Sequence, residues 1–260
     1  MRTEETETLK VPSPLKEKTE AVIEINNLRK SFGKQEVLKN ISLKLFNGEN
    51  LVVLGKSGSG KSVLIKCIVG LLNANGGSIS VFGKNILSLN TDELGEIRQK
   101  IGFLFQSGAL YDSMTVRENL EFPLIRIKTD YTQKQVDEKI LSALEDVGLA
   151  DALHKMPSQL SGGMRKRISL ARTIVVDPLI MLYDEPTTGL DPVTSDEISE
   201  LINKVQNKLK TSSIIITHDI ECARNTANRI LMLDNGEIYK EGSLIDFDHS
   251  ADPLIKSFFK

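Results

Sequence analysis

The chain has no tryptophan, two cysteines (Cys67 and Cys222) and only 5% aromatic residues over 260 positions. Each shortage excludes something. Few aromatics argue against a stacking platform for single-stranded nucleic acid. Two distant cysteines give neither metal-binding spacing nor a disulfide framework, and suit buried thiols in a reducing compartment. A net charge of −2 provides no global attraction for polyanions, so no nucleic-acid partner is expected. No apolar run approaches the roughly 18 residues that a membrane span needs, so any membrane role is expected to come through a partner. Glu4, Glu5 and Glu7 make the beginning acidic where a signal peptide would be basic and then apolar. Residues 1–20, charged and with Pro12 and Pro14, read as a flexible extension.

What the chain does have is glycine in one telling pattern. Gly55, Lys56, Ser57, Gly58, Ser59, Gly60, Lys61 and Ser62 form a complete G-x-x-x-x-G-K-[ST] loop. The apolar run Leu51–Leu54 precedes it as a buried strand, and a helix is predicted over Val63–Leu72. That context makes the loop a phosphate cradle for a nucleoside triphosphate such as ATP with Mg²⁺. The loop's N–H groups and the helix N-terminus aim at the phosphates. Lys61 would reach the β- and γ-phosphates, and Ser62 would ligate Mg²⁺.

The remaining pattern predicts an α/β fold. Ala21–Ile25 and Val37–Phe46 read as antiparallel strands around a turn at residues 31–34, with Ile41, Leu43 and Leu45 alternating with Ser42 and Lys44. Short strands are predicted at Ser78–Val81 and Ile101–Phe105. Residues 107–165 read as an all-helical insert: Thr115 and Glu118 form a capping box, and Val136, Ile140, Leu144 and Val147 recur at helical spacing. Ser161 is a candidate cap for a helix ending near Val176. Leu179–Tyr183 and Ile214–Thr217 read as central parallel strands, and Asp234 to Gly236 as a hairpin turn. Residues 243–260 form an extension whose Leu254, Ile255, Phe258 and Phe259 need a surface to bury against.

Asp184 and Glu185 end the strand at 179–183. With a phosphate loop in the chain, this is a Walker B element: Asp184 for the Mg²⁺ shell, Glu185 to polarise the attacking water. Leu160, Ser161, Gly162, Gly163 and Met164 then resemble the signature sequence of ABC-type ATPases, with methionine where glutamine is usual. Further positions match that family in order: Gln106 its Q-loop, Gly189 to Pro192 its D-loop, His218 its switch histidine, and Phe32 its adenine-stacking aromatic. The resemblance covers residues 21–242. It implies a RecA-like P-loop NTPase core with an N-terminal antiparallel β subdomain and an inserted α-helical subdomain. It also implies ATP hydrolysis in a head-to-tail homodimer, where Ser161, Gly162 and Gly163 face the γ-phosphate held by the second subunit. Gln106 is implied as a catalytic and Mg²⁺-shell residue, and Asp191 as a nucleotide contact. Asp191 before Pro192 is equally an Asp cap with proline at the first helical position, and Phe32 equally a turn residue packed on the sheet. Arg165, Lys166 and Arg167 read as a solvated helix face.

Within that family, residues 105–110, Asn119, Phe122-Pro123, the signature with its Met164 and the tail at 252–259 resemble the ATPase of Mla/MCE-type phospholipid transporters. The resemblance implies an integral permease docked through a coupling helix in a groove beside Gln106, an MCE-domain protein, and an accessory regulatory subunit, with the chain at the cytoplasmic face of the inner membrane. An ABC ATPase for another small solute, such as an amino acid, is the alternative. Soluble ABC ATPases fit less well. There is no room for a coiled coil between Lys61 and Leu160, only one cassette, and no zinc-spaced cysteines.

Overall fold

The computed structural model describes residues 20–127 and 131–259; the extension expected at the N-terminus lies, but for Glu20, outside the described residues. Strands β1 (Ala21–Phe32) and β2 (Gln35–Phe46) pair antiparallel around a turn in which Gly33 takes φ 59°. The two-residue alternation is obeyed: Ile41, Leu43 and Leu45 are buried, and Ser42 and Lys44 exposed. With β4 (Gly76–Val81) and β5 (Lys84–Asn85) they make a four-stranded sheet of order β2-β1-β4-β5.

β3 (Asn50–Leu54) is buried throughout and feeds the phosphate loop into α1 (Lys61–Ile68). The helix stops short of the predicted Leu72 because Gly70 turns left-handed at φ 66° and its N–H returns to the Cys67 carbonyl. Helix α2 (Thr91–Arg98) leads to β6 (Ile101–Leu104). Helices α3 (Val116–Arg126) and α4 (Gln133–Asp146) are the insert, each opened by a capping box from Thr115 and Thr132. Helix α5 (Gly162–Ile174) starts at a Ser161 cap and returns the chain to β7 (Ile180–Asp184). Helix α6 (Pro192–Leu209), β8 (Ser212–Thr217), α7 (Ile220–Thr226), β9 (Arg229–Asp234) and β10 (Glu237–Gly242) complete the core. The second sheet has order β10-β9-β3-β8-β7-β6, parallel except for β10.

The expected α/β architecture is therefore present: a parallel core, an antiparallel sheet before it and helices inserted within it. The parallel sheet separates two hydrophobic cores. Leu51, Val53, Leu182, Ile214 and Ile216 face α1 and the antiparallel sheet, whereas Val52, Leu54, Tyr183, Ile215 and Met232 face α3 to α7. The C-terminal segment folds as two short helices, α8 (Leu244–Asp248) and α9 (Pro253–Phe258), on the chain's own second core, where Phe247 and Ile255 are buried. Phe258 also lies under the Lys56 ammonium, 5.9 Å from ring centroid to nitrogen. Both cysteines are buried thiols. Among the described residues no helix is long and apolar enough to cross a membrane.

Candidate functional site

The ends of β3, β7 and β8 and the loop after β6 meet at one edge of the parallel sheet, and the candidate residues gather there. A cleft of about 230 Å³ is lined by Ser57, Gly58, Gly60, Lys61, Ser62 and Val63 of the phosphate loop together with Gln106, Glu185 and His218. Gly60 takes φ 105°, and a Cβ there would lie 2.8 Å from Leu38 and 3.0 Å from the Val37 carbonyl. Glycine is thus required both by conformation and by the close passage of β2. Gly55 is confined differently: a Cβ would sit 2.4 Å from the Leu233 carbonyl.

Lys61 is buried, and its ammonium donates to the carbonyls of Gly55 (2.7 Å) and Lys56 (3.1 Å). It also stands 3.3 Å from Glu185 Oε1. The other carboxylate oxygen of Glu185 meets His218 Nδ1 at 2.7 Å and accepts from the Thr188 hydroxyl at 3.1 Å. The glutamate is therefore held by a cation on one side and an imidazole on the other, with its backbone at φ 51°. Such a left-handed residue persists only where its surroundings fix it. Here the Glu185 N–H donates to the Ile216 carbonyl at 2.9 Å. Ser62 Oγ donates to Asp184 Oδ1 at 2.9 Å. A hydroxyl and a buried carboxylate side by side are hard oxygen donors of the kind Mg²⁺ takes alongside phosphate oxygens.

Ser161, Gly162, Gly163 and Asp191 are not among the residues lining this cleft. Ser161 is exposed and accepts from the Met164 N–H at 3.2 Å. Gly163 abuts the start of α6, where a Cβ would meet Thr194 Cγ2 at 2.7 Å. Asp191 caps that helix, accepting from the Thr194 N–H and hydroxyl at 3.1 and 2.6 Å, and these bonds hold its carboxyl below the usual range. The capping role read from the sequence is thus present. Met164 packs against the second core, so the methionine trades a glutamine's donors for apolar contact. Phe32 is 48% exposed, with the Lys30 ammonium 4.8 Å above its ring, and lies outside the cleft lining.

The sequence expectation for Lys166 fails. Lys166 is not on a solvated face: it is 6% exposed, and its ammonium donates to the Gln106 carbonyl (2.9 Å) and the Glu185 carbonyl (3.3 Å). Burial lowers its pKa to about 8, with Asp184 and Glu185 pulling the other way. Three successive cations suggested a solvated face, but Lys166 stands four residues before Leu170 and eight before Ile174, both buried, and that spacing assigns it to the core face. Val37, which lines the cleft, was also missed; no local signal places the start of β2 over a loop twenty residues on.

A second, open groove of about 370 Å³ lies between α2, β6, α3 and α5, with Phe103, Phe122, Pro123, Ile127 and Val176 among its lining.

Comparison with known proteins agrees with this arrangement. A family model described as ABC transporter matches residues 38–188. A probable ribonucleotide transport ATP-binding protein of Mycobacterium bovis is 39% identical over 91% of this chain, which spans 66% of that protein's length. The chloroplastic protein TRIGALACTOSYLDIACYLGLYCEROL 3 of Arabidopsis thaliana is 36% identical over 94% of this chain and 75% of its own. Among solved structures, the dimeric ATP-binding cassette MJ0796 bound to ADP and Pi superposes with a TM-score of 0.77 at 34% identity, covering 85% of this chain and 98% of that one. With the phosphate loop, its acidic partners and the fold all matched along most of its length, the chain belongs to the ABC transporter family and carries that family's ATP-binding domain.

Proposed function

We propose that this chain is the ATP-hydrolysing subunit of a membrane transporter, working as a head-to-tail pair and moving phospholipid through a partner permease. The observation that carries the ATPase reading is the Glu185 carboxylate, gripped between Lys61 and His218 at the mouth of the phosphate loop. The loop N–H groups and Lys61 bind the β- and γ-phosphates. To do so, Lys61 leaves Glu185, which frees that carboxylate to orient water in line with the γ-phosphorus and accept its proton. His218 and Thr188 keep the carboxylate aimed. Ser62, Asp184 and Gln106 would hold Mg²⁺, which supplies charge neutralisation on the phosphates.

Ser161, Gly162 and Gly163 fit a second copy's nucleotide rather than their own. Ser161 and Gly162 are exposed, and the segment opens a helix of 13 residues and forms no part of its own cleft's lining. Phe32 would stack on the adenine, and Asp191 would approach the nucleotide across the pair. The groove between α2, β6, α3 and α5, with Phe103, Phe122 and Pro123 in its lining, would receive a permease coupling helix.

The cargo reading rests on the lipid-transporter pattern around Gln106 and Met164 and on a relative named after a glycerolipid. An MCE-domain protein and a regulatory subunit complete the proposed assembly, in which this chain sits at the cytoplasmic face of the inner membrane through the permease. The test is purification of the tagged chain from membranes in mild detergent, with mass spectrometry of proteins and lipids. Phospholipid with a permease and an MCE-domain protein is expected. A permease with a solute-binding protein and no lipid would replace the cargo by a small solute, and ribosomes or DNA without a permease would refute a transport role.

A further inference from the structure

Lys166 is the buried cation that the reaction outlined above does not use. Burying an ammonium costs several kcal/mol unless its donors are engaged, and an apolar side chain would serve equally to pack α5. Both of its recorded hydrogen bonds go to main-chain carbonyls, those of Gln106 and Glu185. These residues follow β6 and β7, which are adjacent in the sheet with Leu104 paired to Tyr183. The lysine therefore spans two strand ends from a third element, the helix that begins at Ser161.

Glu185 is where such a link matters most. Its left-handed backbone is fixed by the Ile216 carbonyl on its N–H and, at its own carbonyl, by Lys166 and the Thr188 N–H, each at 3.3 Å. Without Lys166 the carbonyl would keep only the Thr188 N–H, a looser hold on the peptide that carries the carboxylate between Lys61 and His218. Lys166 lies little more than one turn from Ser161, so a shift of the helix start is transmitted to that peptide almost rigidly.

We propose that Lys166 is a positioning residue for hydrolysis: it ties the main chain of Gln106 and Glu185 to helix α5, so that a phosphate seated on Ser161–Gly163 sets the aim of the carboxylate in the same subunit. This rests on the ATPase reading above.

The test compares kcat, KM for ATP, nucleotide Kd and Tm in the full-length chain and its variants. Lys166→Met is expected to lower kcat by about 10- to 100-fold, the effect of misplacing a reacting group by about 1 Å, with KM and Kd unchanged. Lys166→Gln, which offers two N–H donors without the charge, is expected to restore most of kcat. Should the methionine variant not fold, Lys166→Ser admits water to both carbonyls and is expected to fold with the same loss of kcat. A folded Met or Ser variant at wild-type kcat overturns the proposal. So does a loss of kcat and nucleotide affinity together, in step with Tm, that glutamine does not rescue. Absence of ATP turnover in the wild-type protein would instead overturn the ATPase reading beneath it.

Discussion

Replacing Glu185 by glutamine removes one charge and little volume, and its consequence for binding can be worked from the structure. Glu185 Oε1 lies 3.3 Å from Lys61 Nζ, with the two side chains 10% and 5% exposed. At an effective dielectric of about 20 the attraction is about 5 kcal/mol. Desolvation takes back much of it, leaving about 1.5–3 kcal/mol, the usual worth of a hydrogen bond to a charged group. A triphosphate must displace this contact to engage Lys61. The amide removes the charge and leaves at most a weaker hydrogen bond to its carbonyl oxygen, so Glu185→Gln is expected to bind ATP about tenfold tighter, at about 1.4 kcal/mol per decade. Hydrolysis should move the opposite way. An amide does not accept the water's proton, and loss of a positioned base costs about 10²–10⁴ in rate. The assay is equilibrium titration with a fluorescent nucleotide, alongside phosphate release from the same preparation. Phosphate release at the wild-type rate would remove Glu185 from the water-orienting role. Weaker binding would refute the claim that Lys61 is shared in competition between carboxylate and phosphate.

Lys61→Ala should weaken ATP binding by at least about tenfold, since the phosphates lose a buried cation; the same titration reads it. Ser161→Arg should block pairing, so that sedimentation with ATP finds monomers while single-chain nucleotide binding persists. Asn119 is fully buried, accepts from the Tyr111 N–H and donates to the carbonyls of Tyr111, Met114 and Thr115. Asn119→Ala should cost roughly 2–4 kcal/mol in chemical denaturation by orphaning these groups. Burial raises both thiols, Cys67 and Cys222, to about 11. At pH 8 about one in a thousand would be thiolate, so thiol reagents should label neither until the chain is unfolded.

Much of the site could be read before the fold was known because its residues answer local demands. The phosphate loop needs glycine where the backbone turns left-handed, as at Gly60. The acidic pair at the end of β7 shows as a charge change at a strand end, and Ser161 and Asp191 announce helix starts as caps. What could not be read was relative placement. Lys166 shows this: its charge suggested solvent, but its phase on α5 and the carbonyls waiting beneath it decided otherwise. Val37 reaches the cleft only because two separate sheets meet there. Boundaries also shifted where a single glycine, such as Gly70, outweighed a run of good helix formers.

The sheet that parts the two hydrophobic cores has a consequence for how this protein can change. Strand residues alternate between faces, with Val52 and Leu54 on one and Leu51 and Val53 on the other. Substitutions on opposite sides share no partners, and such changes combine additively, whereas those on one side couple. Core changes beneath α3 and α4 are therefore expected to leave the packing of α1 against the antiparallel sheet as it is, while α5, which carries Lys166 to the Glu185 carbonyl, links that face to the nucleotide site.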